Sequence, residues 1–123
     1  MVSPSDVAAT IDERASAYIA ANCSSCHHPG ASFLGAGETW NAKYGVPSGM
    51  RGLVNAPHHN FPMATALGLT NAPLVSPGSP NNSIMRQRMN ATDQDLRMPP
   101  LLRTKVDPLG VSLIDAWITA GPP

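Results

Sequence analysis

Apolar residues near the start of the chain recur at helical spacing. The positions i, i+4, i+7 and i+8 are Ile11, Ala15, Tyr18 and Ile19. This spacing predicts one buried helix face. Thr10 followed by Glu13 fits a capping box, and acidic residues in the first turn favour the positive end of the helix dipole. We therefore predict a helix that starts at Thr10 and runs into Asn22-Cys23.

A second helix is predicted at the end of the chain. Asp107 is a suitable N-cap and Pro108 fits the first helical position, while Gly121 fits the stop after the last turn. The apolar positions predicted to face the core are Leu109, Leu113, Ile114, Trp117 and Ile118. Both ends of the chain are therefore predicted to be amphipathic helices.

The middle of the chain carries a weaker pattern. A third, shorter helix is predicted from Ser79-Pro80 to about Asn90. Its apolar residues are Ile84, Met85 and Met89. Residues 29–78 show neither helical nor strand periodicity, and a loop of that length is uncommon in a small domain unless it packs around a bound group. Together the patterns predict one all-α domain over residues 1–123, with three to four helices and a long irregular loop.

The composition indicates that the core is completed by a bound group. The chain has 13 Pro and 10 Gly but only two Trp, two Tyr and two Phe, so helix breakers are frequent and the side chains alone make a thin core. A large apolar prosthetic group would supply the missing contacts.

The charges are balanced overall but unevenly placed. The formal net charge is zero, which gives nucleic-acid binding no electrostatic support. Residues 43–105 contain seven of the eight Lys and Arg residues and only two acidic ones. This asymmetry suits a buried anionic ligand near the middle of the chain, although solvated surface charge is the commoner explanation.

The sequence contains no apolar run long enough to span a membrane, and no signal peptide opens it. Its start, Met1-Val2-Ser3-Pro4, indicates an excised mature protein or an excised domain. We therefore expect neither a membrane anchor nor a leader within these residues.

Residues 23–27 read Cys-Ser-Ser-Cys-His, the C-x-x-C-H attachment signature for c-type haem. Two cysteines three residues apart on one turn can reach the two vinyl groups on one edge of a porphyrin. The next residue, His27, then points its imidazole at the iron. The motif predicts one covalent haem, held by Cys23 and Cys26 and ligated by His27.

Three other chemistries use a C-x-x-C pair. A thioredoxin-like redox motif needs a βαβ context, which the pattern does not predict. A structural disulfide is possible in a secreted protein. The pair could also be half of a zinc site, with the candidate histidines His27, His28, His58 and His59. The preceding amphipathic helix and the final histidine favour haem.

The second candidate iron ligand is Met98, within Arg97-Met98-Pro99-Pro100. Electron-transfer cytochromes often place a Met thioether opposite the histidine, which raises the reduction potential. The following prolines restrict the backbone, so the sulfur can be held in one place. Met98 lies 71 residues after His27 (98 − 27), just before the last helix, so the chain can return to the far face of the ring.

Other residues compete for these roles. The alternative sulfur ligands are Met50, Met63, Met85 and Met89. Met85 and Met89, four residues apart on one helix face, fit core packing better. His58 or His59 would give bis-histidine ligation, although tandem loop histidines are usually solvated. The candidates for contact with haem propionates are Trp40, Tyr44, Arg86 and Arg88.

The order helix, C-x-x-C-H, long loop, Met98, helix resembles the cytochrome c fold, in which the first and last helices cross near the haem edge. Shorter motifs resemble a subgroup of bacterial cytochrome c domains, often appended to secreted carbohydrate-oxidising enzymes. These motifs are Cys-x-x-Cys-His-x-Pro-Gly from Cys23 to Gly30, Pro77-Gly78-x-Pro80-x-x-Ser83, Arg88-Met89 and Arg97-Met98-Pro99-Pro100. The 29–78 loop is longer and richer in Pro and Asn than in compact family members.

The resemblance implies a monomeric electron-transfer protein in the periplasm or outside the cell, with one haem ligated by His27 and Met98. Its partner would be a redox protein, such as a secreted sugar- or polysaccharide-oxidising enzyme, in the same polypeptide or separate. No general acid, base or nucleophile constellation accompanies the motif, so we predict no catalytic activity. Two alternatives stay open, a haem-based catalyst or gas sensor with an open sixth position and a zinc-binding module.

Overall fold

Two helices from opposite ends of the chain pack against each other. Helix α1 runs over Ile11–Cys23 and helix α4 over Pro108–Thr119, with α2 (Phe61–Ala66) and α3 (Ile84–Asn90) between them. Helix α4 contacts both α1 and α3. The all-α prediction is confirmed for the described residues, and no helix among them is long and apolar enough to cross a bilayer. The structure, a computed structural model, describes residues 1–31, 40–59, 61–100 and 105–123.

The start of α1 carries the predicted capping box. The Thr10 hydroxyl accepts a hydrogen bond from the Glu13 amide at 3.2 Å, and the Glu13 carboxylate accepts one from the Thr10 amide at 2.9 Å. The bonds that this carboxylate accepts from the Thr10 amide and, at 2.8 Å, from the Thr10 hydroxyl lower the pKa of Glu13. The capping box satisfies two backbone donors that a helix start leaves unpaired. The buried residues of α1 are Ala15, Ala17, Ile19 and Ala20. Ile11 and Tyr18 pack against the core from partly buried positions.

Helix α4 begins and ends where the sequence predicts. Asp107 accepts from the Gly110 amide at 3.1 Å, and Pro108 is the first helical residue. Gly121 follows the last turn with φ +77°. The buried residues are Gly110, Val111, Leu113, Ile114, Trp117 and Ile118. The prediction for Leu109 is wrong, since this side chain is 82% exposed; it lies about 100° round the helix from Gly110 and outside the buried face.

Gly110 lies where α4 packs on α1. A Cβ atom at this position would overlap the phenol oxygen of Tyr18. That hydroxyl donates to Asp107 Oδ2 at 3.0 Å, so the residue that caps α4 also holds the tyrosine in place. With Tyr18 held in this position, Gly110 leaves no room for a Cβ atom.

Gly110→Ala is expected to destabilise the protein, although alanine is the better helix former. The gain in helix propensity is up to ~1 kcal/mol, whereas overpacking against Tyr18 costs ~1–3 kcal/mol. Guanidinium unfolding should show a lower midpoint with an unchanged slope. Ser112→Ala, on the exposed side of α4, is the control and should change the midpoint little. An equal or higher midpoint for Gly110→Ala would show that Tyr18 can move aside.

The predicted third helix is divided in two. Pro80–Asn82 forms a 3-10 turn, Ser83 is extended (φ −113°, ψ 117°), and α3 starts at Ile84. The buried Ser83 hydroxyl donates to the Ser79 carbonyl at 2.9 Å and accepts from the Ser76 amide at 2.8 Å. Because these bonds hold the extended backbone, the α-helix cannot start earlier.

The predicted irregular loop, residues 29–78, contains short ordered elements. They are a 3-10 turn at Ser48–Met50, helix α2 and a single parallel bridge between Val54 and Val75. Leu53 and Val75 belong to the main core together with residues of α1 and α4. A second, smaller cluster forms around α2 from Met63, Ala64, Ala72 and Ile84. The described part of the loop therefore packs as a wall of the core.

One carboxylate joins this loop to both terminal helices. Asp12 Oδ1, in the first turn of α1, accepts from the Ser48 hydroxyl at 2.6 Å and from the Trp117 indole N–H at 2.8 Å. Ser48 and Trp117 are buried, and buried polar groups need such partners. The bonds fix the position of the loop relative to α1 and α4.

Candidate functional site

The C-x-x-C-H motif forms a tight turn at the end of α1. Cys23 is the last residue of the helix. Its carbonyl accepts from the Cys26 amide at 3.2 Å and from the His27 amide at 2.8 Å. Both thiols are free, so no disulfide joins them. The turn brings two thiols and one imidazole together at one end of the helix.

The Cys23 thiol lies in an apolar environment. It packs against the main core, and burial raises its pKa to about 12, a shift that the nearby charge of Arg51 opposes in part. The thiol therefore stays protonated at neutral pH. A thioredoxin-like redox cysteine needs the opposite shift, toward a stable thiolate. No strand accompanies the motif in the described stretches, so that alternative lacks support.

Trp40 packs against the side chain of His27. The two rings are stacked, with centroids 4.4 Å apart and planes inclined by 23°. The Ala42 amide donates to the His27 carbonyl at 2.7 Å, so the segment that starts at Trp40 runs along the motif. The structure thus places Trp40, a sequence candidate for contact with propionates, against the imidazole.

Arg51 is a buried cation close to Cys23. Its side chain is 1% exposed, and Nη1 donates to the carbonyls of Asn41 and Lys43, each at 3.2 Å. Nε and Nη2 have no hydrogen-bond partner among the described residues. Burial lowers the pKa of Arg51, and the charge of Asp12 opposes this shift. A guanidinium nevertheless stays protonated in proteins, so Arg51 brings a positive charge into the core.

Met98 is positioned by helix α3. Its amide donates to the Arg88 carbonyl at 3.0 Å, and Arg88 Nε donates to the Leu96 carbonyl at 2.8 Å. The peptide bond after Met98 is cis, and the residue is half-buried. Arg88 precedes Met89, which belongs to the main core that Cys23 contacts. Helix α3 therefore connects Met98 to the same core as the C-x-x-C-H turn.

Arg97, the residue before Met98, also has a buried side-chain nitrogen. Arg97 Nε is buried without a hydrogen-bond partner in the described part of the chain. The Arg97 amide donates to the Asp93 carbonyl at 2.9 Å, which fixes the backbone just before Met98. Arg51 and Arg97 therefore both carry buried N–H groups that can donate to an anionic ligand.

The rival methionines lie in other environments. Met50 is 76% exposed, and Met63 belongs to the small cluster around α2. Met85 and Met89 pack in or against the main core, whereas their packing against a haem stays a prediction. Met98 stays the predicted sulfur ligand.

The expectation of two solvated loop histidines is wrong for one of them. His58 is 7% exposed, and its Nδ1 lies 2.7 Å from the Ala72 carbonyl, whereas His59 is exposed. His28 is half-buried, with Nδ1 3.0 Å from the Pro29 carbonyl. Within the described ranges, no three His, Cys, Asp or Glu side chains gather into a possible metal site. The zinc alternative therefore has no ligand cluster there.

Two further residues that the sequence suggested for contact with haem propionates are Arg86 and Tyr44. Arg86 forms an ion pair with Asp115 through Nε at 2.8 Å and Nη2 at 3.1 Å, which ties α3 to α4. Tyr44 is 55% exposed. Sequence reasoning did not single out Arg51, which it counted only among the basic residues of the 43–105 region.

No protein-family model, curated protein or solved structure matches the chain. A functional proposal therefore has to come from its own residues. Those with the clearest chemistry are the C-x-x-C-H turn, the tryptophan stacked on its histidine and the buried Arg51 beside it.

Proposed function

We propose that the chain is a monohaem cytochrome c domain that carries single electrons. Cys23 and Cys26 would hold one haem c covalently, and His27 and Met98 would be its axial iron ligands. The haem would supply a one-electron redox couple. The protein would orient the ligands, exclude water from the ring and leave an edge for docking.

The observation that carries this proposal is the turn at the end of α1. One carbonyl, that of Cys23, accepts from the amides of both Cys26 and His27. This arrangement puts two free thiols and an imidazole within one turn. The stacked Trp40 restrains the imidazole, and a ligand whose orientation is fixed in advance binds with less loss of entropy.

The surroundings suit a large apolar ligand that carries acidic groups. Cys23, Trp40 and Met85 pack against the main core and offer apolar contacts. Arg51 and Arg97 carry buried N–H groups with no partner among the described residues, and the carboxylates of a haem can accept from such groups. The residues present therefore fit this cofactor.

The cytochrome c fold, the location and the partner belong to the same proposal. Helix α1 packs on α4, the C-x-x-C-H turn ends α1, and Met98 precedes α4 in the chain. The chain would act in the periplasm or outside the cell, where this family acquires its haem. It would exchange electrons, as a monomer, with a secreted sugar- or polysaccharide-oxidising enzyme. Contacts of this kind are small and transient.

The visible spectrum of the purified protein tests the proposal. Made in a host that attaches c-type haem, the protein should be red and should show a low-spin spectrum when reduced. Its pigment should stay on the chain in acid and organic solvent. The same sequence expressed without the attachment machinery is the control and should be colourless. A colourless product from the competent host would contradict the proposal.

A further inference from the structure

Residues 93–98 form a turn that is closed by its own hydrogen bonds. The Asp93 carbonyl accepts from the Leu96 amide at 3.2 Å and from the Arg97 amide at 2.9 Å. The Asp93 carboxylate accepts from the Asp95 amide at 2.8 Å. These bonds join residues within the turn, so they do not fix where the turn lies relative to the rest of the protein. The position of its last residue, the predicted sulfur ligand, therefore depends on contacts outside the turn.

Two hydrogen bonds tie this turn to helix α3, and Arg88 makes both. Its carbonyl accepts from the Met98 amide at 3.0 Å, and its Nε donates to the Leu96 carbonyl at 2.8 Å. The Leu96 side chain also packs against the small cluster around α2. Arg88 therefore holds the turn at two points, Met98 through its main chain and Leu96 through its side chain.

The bond from the Arg88 side chain is expected to be the stronger of the two. A guanidinium stays protonated in proteins, and a hydrogen bond from a charged donor is roughly twice as strong as a neutral one. Arg88 is half-buried, and burial lowers its pKa, so water screens this bond less than it would at the surface. No carboxylate of the described residues forms an ion pair with Arg88. The Leu96 carbonyl is thus the partner that the structure gives to its Nε.

We propose that Arg88 is a positioning residue for the sixth iron ligand, an inference that rests on the proposed function. Its bond to Leu96 fixes the turn in the place from which Met98 would reach the iron, and this bond is lost when the turn moves away. Such a bond favours the first state, because it exists in only one of the two. An external ligand needs the second state, so its apparent affinity falls as that state becomes rarer.

Arg88→Leu in the haem-loaded protein tests this role, because leucine is as good a helix former as arginine but has no N–H donor in its side chain. Titration of the oxidised protein with imidazole, followed by loss of the far-red sulfur–iron band, measures how readily Met98 is displaced. The variant should bind imidazole about tenfold more tightly than the wild type, since a charge-assisted hydrogen bond no longer holds the turn.

Arg86→Leu is the control for this variant. It makes the same change on the same helix but removes an ion pair with Asp115, which does not involve the turn. Its affinity for imidazole should equal that of the wild type. Equal affinities in Arg88→Leu and the wild type would overturn the assignment.

Arg88→Gln separates the bond to Leu96 from the other losses. The side-chain nitrogen of glutamine follows Cδ directly, as arginine Nε does, so it can donate to the same carbonyl without a charge. The imidazole affinity of this variant should fall between those of the wild type and Arg88→Leu, because the neutral bond is weaker. Equal affinities in Arg88→Gln and Arg88→Leu would assign the effect to the outer end of the guanidinium and overturn the role of the Leu96 bond.

A measurement on the wild type covers the case in which the variants do not fold. Exchange of the Arg88 Nε–H with solvent, followed by nuclear magnetic resonance, should be slow in the haem-loaded protein and faster with saturating imidazole. The reason is that displacement of Met98 and loss of the bond to Leu96 are linked. Equal exchange rates in the two states would overturn the assignment.

These outcomes are distinct from failure of the proposed function. A colourless wild type would refute the haem itself. A red wild type whose far-red band survives in Met98→Ala would refute Met98 as the ligand, and with it the role of Arg88. A red wild type that loses the band in Met98→Ala but is insensitive to Arg88→Leu refutes only the role of Arg88.

Discussion

Replacing both Cys23 and Cys26 by alanine is expected to give a protein without bound haem, the largest effect that we predict. The two thiols are the proposed covalent attachment points, and the remaining contacts would have to hold the ring alone. Because cofactor binding is coupled to folding, the variant should also lose stability and helical signal. Acid–acetone extraction followed by a haem assay of the protein pellet measures attachment, and far-ultraviolet circular dichroism measures the helices.

Ser24→Ala together with Ser25→Ala is the matched control, since it changes the two residues between the cysteines and spares both thiols. This variant should keep its pigment through the extraction. If wild-type haem is extracted intact, covalent attachment is refuted. Covalently bound pigment in the double cysteine variant would show that the haem is attached at other residues.

Met98→Ala is expected to remove the weak far-red sulfur–iron band of the oxidised protein and to lower its reduction potential. Axial ligands set haem potentials over a range of ~0.8 V, and a thioether lies toward the high end because it favours the reduced iron. The iron should also become open to small ligands such as carbon monoxide. Absorption spectroscopy, potentiometry and ligand titration measure the three effects.

Met50→Ala is the control for this variant, because Met50 is 76% exposed and should not reach the cofactor. A far-red band that survives in Met98→Ala but vanishes in Met89→Ala or Met63→Ala would move the ligand to that residue. If the wild type lacks the band and binds carbon monoxide readily, a haem-based catalyst or gas sensor with an open sixth position becomes the better reading.

The terminal helices could be predicted because their signals are local. Thr10 and Glu13 form the capping box from residues three apart, and Asp107 caps α4 across the same spacing. Ser83 shows the limit of this approach, since it divides the third helix through bonds to Ser79 and Ser76 that require the preceding turn to be folded. Leu109 shows a second limit. Its exposure could not be predicted from spacing alone, because the contact between α4 and α1 determines which face of α4 is buried.

The motif of the candidate site could be read from the sequence, but much of its surroundings could not. The spacing of Cys23, Cys26 and His27 is local, so the turn that gathers them follows from the motif. Arg51 is different, because its burial depends on the carbonyls of Asn41 and Lys43 and on the loop that packs as a wall of the core. No periodic pattern distinguishes a buried arginine from a solvated one.

The Asp12 carboxylate makes completion of this fold depend on a residue that is synthesised 105 positions later. The indole of Trp117 donates to it across 105 residues of sequence, and contacts of such separation slow folding because a long segment must be closed first. The cysteines leave the ribosome well before that indole does. A chain that has displayed its C-x-x-C-H segment therefore still lacks the bond between α1 and α4, and Asp12 links the loop to both helices only afterwards.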